Sequence, residues 1–259
     1  HMEAGNRCWD WNVSEMINRK IVDHISDINL PYTENSRRYL LDEGIDGKTI
    51  FVTGSPMREV LRDHENEIER SEVLNTLNLE SNKYILVSAH REENIDNEDN
   101  FMSLMNSINA IAEQYNLPVI YSTHPRSQKF IDQRNFQFHP LVQNLKPFGF
   151  MDYNKLQKNA YCVLSDSGTL SEESAMLGFA GVLIRTSTER PEVLDKGTVV
   201  IGGIKESTIE QGIELAVSMR DNNEEVVMPL DYQDTNVSVK VCKVIQSYCD
   251  IVNKTTWNK

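Results

Sequence analysis

Between residues 84 and 220, short apolar runs alternate with segments whose apolar positions recur every three or four residues. Residues 84–88, 119–121, 161–165, 181–185 and 197–201 are nearly unbroken apolar runs, the pattern of strands covered on both faces. Residues 97–115 set Phe101, Leu104, Met105, Ile108, Ile111 and Ala112 on one helical face. Residues 127–133, 169–177 and 207–220 read as further helices, with Gly178 closing the second of these. Strand and helix in strict turn predict an α/β domain over residues 56–229, Rossmann-like, with a parallel sheet between two helical layers.

The first 55 residues have a different texture. Residues 15–28 and 34–43 read as helices, the second ending at Gly44, and residues 49–53 as a lone strand. One strand cannot make a sheet, so residues 1–55 are expected to be the C-terminal part of an N-terminal domain, or to pack on the other one. Near the end, residues 236–252 carry an apolar stripe of Val237, Val241, Val244, Ile245, Tyr248 and Val252. Cys242 and Cys249 lie near that stripe and are expected to be core thiols.

Composition narrows the function classes. The chain has 259 residues and a formal charge of −13, which argues against a nucleic-acid surface, since phosphate backbones are gripped by clustered Lys and Arg. A small phosphorylated ligand remains compatible, because screening isolates a local basic pocket from the rest of an acidic surface. No apolar run approaches the ~20 residues of a bilayer span, so no membrane partner is expected. Cys8, Cys162, Cys242 and Cys249 show neither C-x-x-C nor zinc spacing, and no signal peptide precedes them. They are expected to be free thiols in a reducing cytoplasm.

The chemistry-bearing residues sit just past the strands. Ser165-Asp-Ser-Gly-Thr-Leu-Ser-Glu-Glu173 follows one strand and opens a helix. A diphosphate there would meet free helix N–H groups and the Ser167 and Thr169 hydroxyls, with Gly168 at the turn, and Glu173 could take both hydroxyls of a ribose. Ser-x-x-Glu is equally a capping box, so Ser167 or Thr169 could merely cap. Ser88-Ala-His-Arg follows the first strand and Ser122-Thr-His-Pro-Arg126 the second. His90, Arg91, His124, Arg126 and, after a further strand, Arg190 therefore supply five basic groups for an anion. Near the start, Glu3 and Glu15, with Arg7 and Arg19, read either as a solvated charge mixture or as a carboxylate pair for proton transfer.

At these residues the chain resembles a known family. His1-Met-Glu-Ala-Gly-Asn-Arg7, Ser14-Glu-Met-Ile-Asn-Arg19, Ala89-His-Arg-Glu-Glu-Asn94, Asp166-Ser-Gly-Thr-Leu-Ser-Glu-Glu173 and Thr188-Glu-Arg-Pro-Glu192 are similar, in order, to motifs of the non-hydrolysing UDP-N-acetylglucosamine 2-epimerases. The Glu-Ala-Gly-Asn-Arg variant, with Asn-Val-Ser at Asn236, resembles the branch that makes UDP-N-acetyl-L-fucosamine for capsule or O-antigen.

The resemblance implies two Rossmann-like domains of the glycosyltransferase-B type, the N-terminal one incomplete in this chain, with a nucleotide sugar in the cleft between them. It sets domains at 1–55, 56–229 and a 230–259 segment whose helix crosses back to the first domain. It implies C2 epimerisation of a UDP-N-acetylamino sugar by anti elimination and re-addition of UDP. Glu3 and Glu15 would be the acid/base carboxylates and His90 would act beside the diphosphate. Arg7, Arg91, His124, Ser167, Gly168, Thr169 and Arg190 would hold phosphates or sugar, Glu173 the ribose, and Tyr153 would stack on uracil or serve as a core tyrosine. It implies no metal or redox cofactor, a cytoplasmic homodimer, and a chain that is a fragment of a longer enzyme or a truncated product, inactive alone. Departures are Thr169 at the family's second glycine, Met16 at the second Glu of Pro-Glu-Glu and Ser14 at its Pro. The alternatives are a glycosyltransferase of the same architecture, revealed by sugar transfer to an acceptor, or a non-catalytic nucleotide-sugar-binding module.

Overall fold

The computed structural model describes residues 1–185, 187–197, 199–222 and 227–259. They fall into two compact units, His1–Asp63 with Ser187–Glu192 and Met228–Lys259, and His64–Thr186 with Val193–Val227.

The second unit is the α/β fold. Six parallel strands, β1 (Ile85–Ser88), β2 (Val119–Ser122), β3 (Val142–Leu145), β4 (Cys162–Ser165), β5 (Gly181–Leu183) and β6 (Val199–Ile201), lie in the order β3-β2-β1-β4-β5-β6. Register pairs Leu86 with Ile120 on one side and Val163 on the other. β2 and β4 are buried at every position, as their unbroken apolar runs predict. The helix Glu98–Tyr115 buries the predicted face, Phe101 to Ala112, against the sheet, and Asn97 caps it by accepting from the Asn100 N–H. Gly178 ends the helix Thr169–Leu177 in the left-handed conformation, φ 75°, that glycine adopts without a Cβ penalty.

β3 departs from the sequence reading. Val-Gln-Asn-Leu has only Val142 buried, because β3 is an edge strand and needs one apolar contact rather than a continuous run. The predicted strand 197–201 is found as Val199–Ile201; Thr198 within it, and Thr186 before the Arg190 segment, lie outside the described residues.

The first unit is built on three short extended segments. The Leu30 N–H donates to the His1 carbonyl (2.8 Å), Glu3 N–H to Leu30 (3.0 Å), Phe51 N–H to Asn29 (3.0 Å) and Thr53 N–H to Pro31 (3.0 Å). Of the expected strand 49–53, Thr49 instead closes the 3-10 turn Gly47–Thr49, Phe51 and Thr53 pair through their N–H groups, and only Ile50 reaches a bridge. Pro31 has no N–H to return, which stops the ladder. The helix Ser14–Ile25 ends earlier than predicted, because Ser26 turns extended and Asn29 donates its side-chain amide to the Asp23 carbonyl (3.0 Å).

The C-terminal helix Val237–Thr255 has no cap of its own; Glu59 accepts from the Ser238 N–H (3.1 Å), placing a carboxylate at the positive end of the helix. Its stripe buries only Val237 fully, while Phe51 packs edge-on against Tyr248 with ring centroids 4.8 Å apart. Cys242 and Cys249 are exposed, which corrects their assignment as core thiols: at helical spacing they fall beside the stripe rather than in it. Cys8 and Cys162 are buried, and burial alone raises the Cys162 thiol to about 12. Among the described residues no helix is long and apolar enough to cross a membrane.

Candidate functional site

The strand order reverses direction between β1 and β4, and in open α/β sheets ligands bind beyond the carboxyl ends of the strands at that switch point. His90 follows β1, and Ser167 follows β4. The two are brought together by Asp166, which is fully buried. Its carboxylate accepts from the His90 N–H (2.9 and 3.1 Å), the Arg91 N–H (2.9 Å) and Asn94 Nδ2 (3.1 Å). Asn94 also donates to the Ile184 carbonyl (3.0 Å), tying the ends of β1, β4 and β5 into one network.

From the end of β2, His124 brings its ring to 5.7 Å from that of His90, between centroids. It is the N-cap of the helix Pro125–Gln133, accepting from the Arg126 N–H at 3.2 Å. Arg126, counted among the five basic groups, is instead paired with Asp96 (2.6 Å) and Glu92 (2.6 Å). Its charge is answered locally, so it adds little to an anion site.

The helix Thr169–Leu177 starts at Gly168 without a side-chain cap, and a Cβ built on Gly168 would meet nothing within 4 Å, so the turn is open above. The capping-box alternative is realised only weakly: Ser167 Oγ lies 3.4 Å from the Thr169 N–H and 2.9 Å from the Thr169 hydroxyl. The Leu170 N–H is taken by the Ser167 carbonyl (3.3 Å), so what the turn offers an anion is the two hydroxyls and the dipole.

Glu173, one turn on, is 6% exposed and accepts from Gln157 Nε2 at 2.6 Å. Burial raises its pKa above the ordinary carboxylate value, against the opposing hydrogen bonds from Gln157 and Thr169. A raised carboxylate favours the fold below its unfolded value, and that stability is lost as pH rises through the folded value. Glu173→Gln is therefore expected to be more stable than wild type at neutral pH, by ~1 kcal/mol, with the gain vanishing in mild acid. Thermal melts across that range check it; equal destabilisation at both ends would contradict the burial argument. Tyr153, half-buried on the helix Phe150–Asn159, brings its hydroxyl to Ser88 and Ser165, and its pKa is raised by burial first and Glu173 second.

In the first unit, Glu3 is held at φ 63°, a left-handed conformation unusual for a non-glycine residue. Its Oε1 accepts from Arg190 (2.8 Å) and Asn6 (3.1 Å), and Arg19 stands 3.5 Å away. Arg190, placed by sequence with the phosphate cations, thus meets the carboxylate cluster, and Tyr32 lies beneath its guanidinium at 5.5 Å. Glu15 sits on the exposed first turn of the helix Ser14–Ile25, accepting from the Ser14 hydroxyl at 3.2 Å.

Arg7 corrects a sequence expectation. Its side chain is fully buried between Glu43 (2.7 and 2.9 Å) and Asp23 (2.8 Å), so it has no face for a substrate. The Arg7 hydrogen bond, with help from Lys20 and His24, holds the Glu43 carboxyl down to about 2. Asp166, Asn94 and Gln157, which hold residues of the candidate site, were not singled out in the sequence, and neither was Glu43, the partner of Arg7. Asp166 and Asn94 stand inside the quoted motifs and could have been found there; Gln157 and Glu43 carry no local signal. Among the described residues no group of three or more His, Cys, Asp or Glu could hold a metal ion.

Comparison with known proteins decides the family. The sequence profile of the UDP-N-acetylglucosamine 2-epimerases matches residues 1–246. The chain belongs to that family of isomerases. It is 32% identical over 231 residues to the UDP-N-acetylglucosamine 2-epimerase of Methanocaldococcus jannaschii, covering 86% of this chain and 63% of that enzyme. The 2-epimerase structure from Rickettsia bellii superposes with a TM-score of 0.89 at 39% identity, covering all of this chain and 70% of that one. The M. jannaschii enzyme in complex with UDP-GlcNAc and UDP gives 0.86 at 28% identity, covering 95% of this chain and 68% of that one. The chain thus spans about two thirds of the length of its epimerase relatives.

Proposed function

We propose that the chain serves the C2 epimerisation of a UDP-N-acetylamino sugar. The observation that carries this reading is the open helix start at Gly168 beside His90, at the sheet's switch point, in a member of this family. The C2 proton of the sugar is too weakly acidic to remove alone. Anti elimination takes the C2 proton, breaks the C1–O bond and releases UDP, leaving a 2-acetamidoglycal. Return of a proton to the opposite face of C2 and re-addition of UDP at C1 complete the inversion, with no net redox change.

In this reading Glu3 and Glu15 exchange the protons, and His90 acts beside the diphosphate. Ser167, Gly168 and Thr169 hold the diphosphate with Arg91 and His124, Glu173 takes the ribose hydroxyls, and Tyr153 meets the uracil. Arg190, bonded to Glu3, aligns that carboxylate and reaches the sugar side of the ligand. Preorganised donors at a departing anion are commonly among the largest contributions to such a rate. The substrate is UDP-N-acetylglucosamine or, by the Glu-Ala-Gly-Asn-Arg variant, the 2-acetamido-2,6-dideoxy-L-talose derivative leading to UDP-N-acetyl-L-fucosamine. The working form is a cytoplasmic homodimer.

Deuterium wash-in at C2, in D₂O with each candidate sugar, tests the reaction; absence of exchange with every UDP-N-acetylamino sugar would sink it. Titration with UDP tests the nucleotide site separately. Ser167→Asp, which puts a negative charge at the helix start, is expected to abolish UDP binding to the 259-residue chain. Unchanged affinity would move the diphosphate elsewhere.

A further inference from the structure

We infer that Asp166 is the positioning residue of His90, fixing its proton on Nδ1 and leaving Nε2 as the nitrogen that serves the reaction. Asp166 Oδ1 lies 3.3 Å from His90 Nδ1, with the Asp166 side chain fully buried and that of His90 40% exposed. An ionised carboxylate only accepts hydrogen bonds. In the neutral ring one nitrogen donates and the other accepts, so the proton facing Asp166 belongs on Nδ1. That inverts the ordinary preference of free imidazole for Nε2–H, and it needs a rigid frame to persist.

The frame is present. The same carboxylate holds the His90 and Arg91 N–H groups, so ring and backbone are referenced to one buried anion. Immediately before His90, the Ala89 carbonyl accepts from the Tyr121 hydroxyl (3.1 Å) and the Ser127 hydroxyl (2.7 Å). Asn94 anchors the far side of the turn to Asp166 and to the Ile184 carbonyl. Residues 89–94 are thereby pinned by β2, β4 and the end of β5, which is how a site side chain is kept in one geometry. Among the described residues, the titratable or charged groups around the pair include His124, whose ring centroid is 5.7 Å away, Arg91, whose N–H shares the Asp166 carboxylate, and the Tyr121 and Tyr153 phenols, which Asp166 helps keep protonated. With Nδ1 engaged, Nε2 is an acceptor when the ring is neutral and a donor to a phosphate oxygen when it is charged. That last consequence rests on the function proposed above; the tautomer rests on geometry alone.

The test is long-range ¹H–¹⁵N correlation on the full chain labelled with [¹⁵N]histidine, at alkaline pH, with His90 assigned by loss of its signal in His90→Gln. The expected wild-type result is a protonated Nδ1 and a bare Nε2. Wild-type His90 protonated on Nε2 overturns the inference, whatever the variants do. Asp166→Asn, whose amide can donate to Nδ1, is expected to switch the ring to Nε2–H. Where epimerisation is measurable, that variant should lower kcat by ~10²-fold with KM little changed, the loss expected from a misoriented group. Full kcat in a folded Asp166→Asn overturns the positioning role. The expected tautomer with no C2 exchange in any protein would instead remove the proposed function and leave the tautomer standing.

Discussion

Replacing Glu3 by glutamine is expected to lower C2 deuterium exchange by ~10²–10⁴-fold, the range lost when a positioned acid or base is removed. Glutamine keeps the side chain's length and can still accept from Asn6, so the loop retains its contacts while the carboxylate loses its proton chemistry. Arg190, whose side chain is 5% exposed, loses a charged partner but keeps an amide oxygen to donate to, so a stability cost of ~1–3 kcal/mol is expected and exchange is read on the folded variant. UDP affinity, assigned to the second unit, should stay at the wild-type level. Exchange at the wild-type rate would take Glu3 out of the chemistry and reduce its left-handed φ of 63° to a feature of the turn. Such strain persists only where the surroundings over-determine it. Here those surroundings include the Asn6, Arg19 and Arg190 side chains, all bonded to one residue.

The second large effect is on stability. Arg7→Ala is expected to cost ~3–5 kcal/mol, the penalty for leaving buried charge without its partner. Asp23 is fully buried and Glu43 is 12% exposed, so neither recovers full hydration when the guanidinium goes. The pH dependence has a definite sign. Glu43 titrates near 2 in the fold against 4.5 for an ordinary glutamate, so its contribution is complete above about 4.5 and is lost as pH falls toward 2. At 1.36 kcal/mol per unit this amounts to roughly 3 kcal/mol. Urea unfolding should show wild type weakening steeply across that window and Arg7→Ala weakening less. A variant as stable as wild type at neutral pH, with the same acid limb, would refute the network.

Glu173 and Arg7 make opposite use of burial. Arg7 joins two carboxylates, and the pairing lowers the pKa of Glu43. Glu173 has only neutral donors, Gln157 and Thr169, and its pKa rises. The two carboxylates therefore respond to acid in opposite directions, Glu43 losing its contribution as pH falls and Glu173 regaining its own.

Much of the fold was legible because burial on both faces imposes a local rule. β1, β2, β4 and β5 show apolar runs, and the helix Glu98–Tyr115 shows its face, since their residues meet the same kind of surroundings. Both edge strands bury a single residue; β6 was legible because it is Val-Val-Ile, and β3 was not because Gln143 and Asn144 break its run. Cys242 and Cys249 were misread because a stripe's margin lies only a fraction of a helical turn from its centre.

The site divides in the same way. By itself the sequence determined the family motifs, the parallel α/β sheet and the edge where His90, His124 and Ser167 gather, because each residue directly follows a strand. Only the tertiary structure decided the pairings. Arg126 is answered by Glu92 and Asp96, Arg190 meets Glu3, Arg7 is enclosed by Asp23 and Glu43, and Asp166 holds the turn carrying His90. Local pattern reports what surrounds a residue on average, whereas the partner of a charge depends on where distant segments arrive. Arg190 and Glu3 are 187 positions apart, and a Coulomb interaction falls with distance in space, not with distance along the chain.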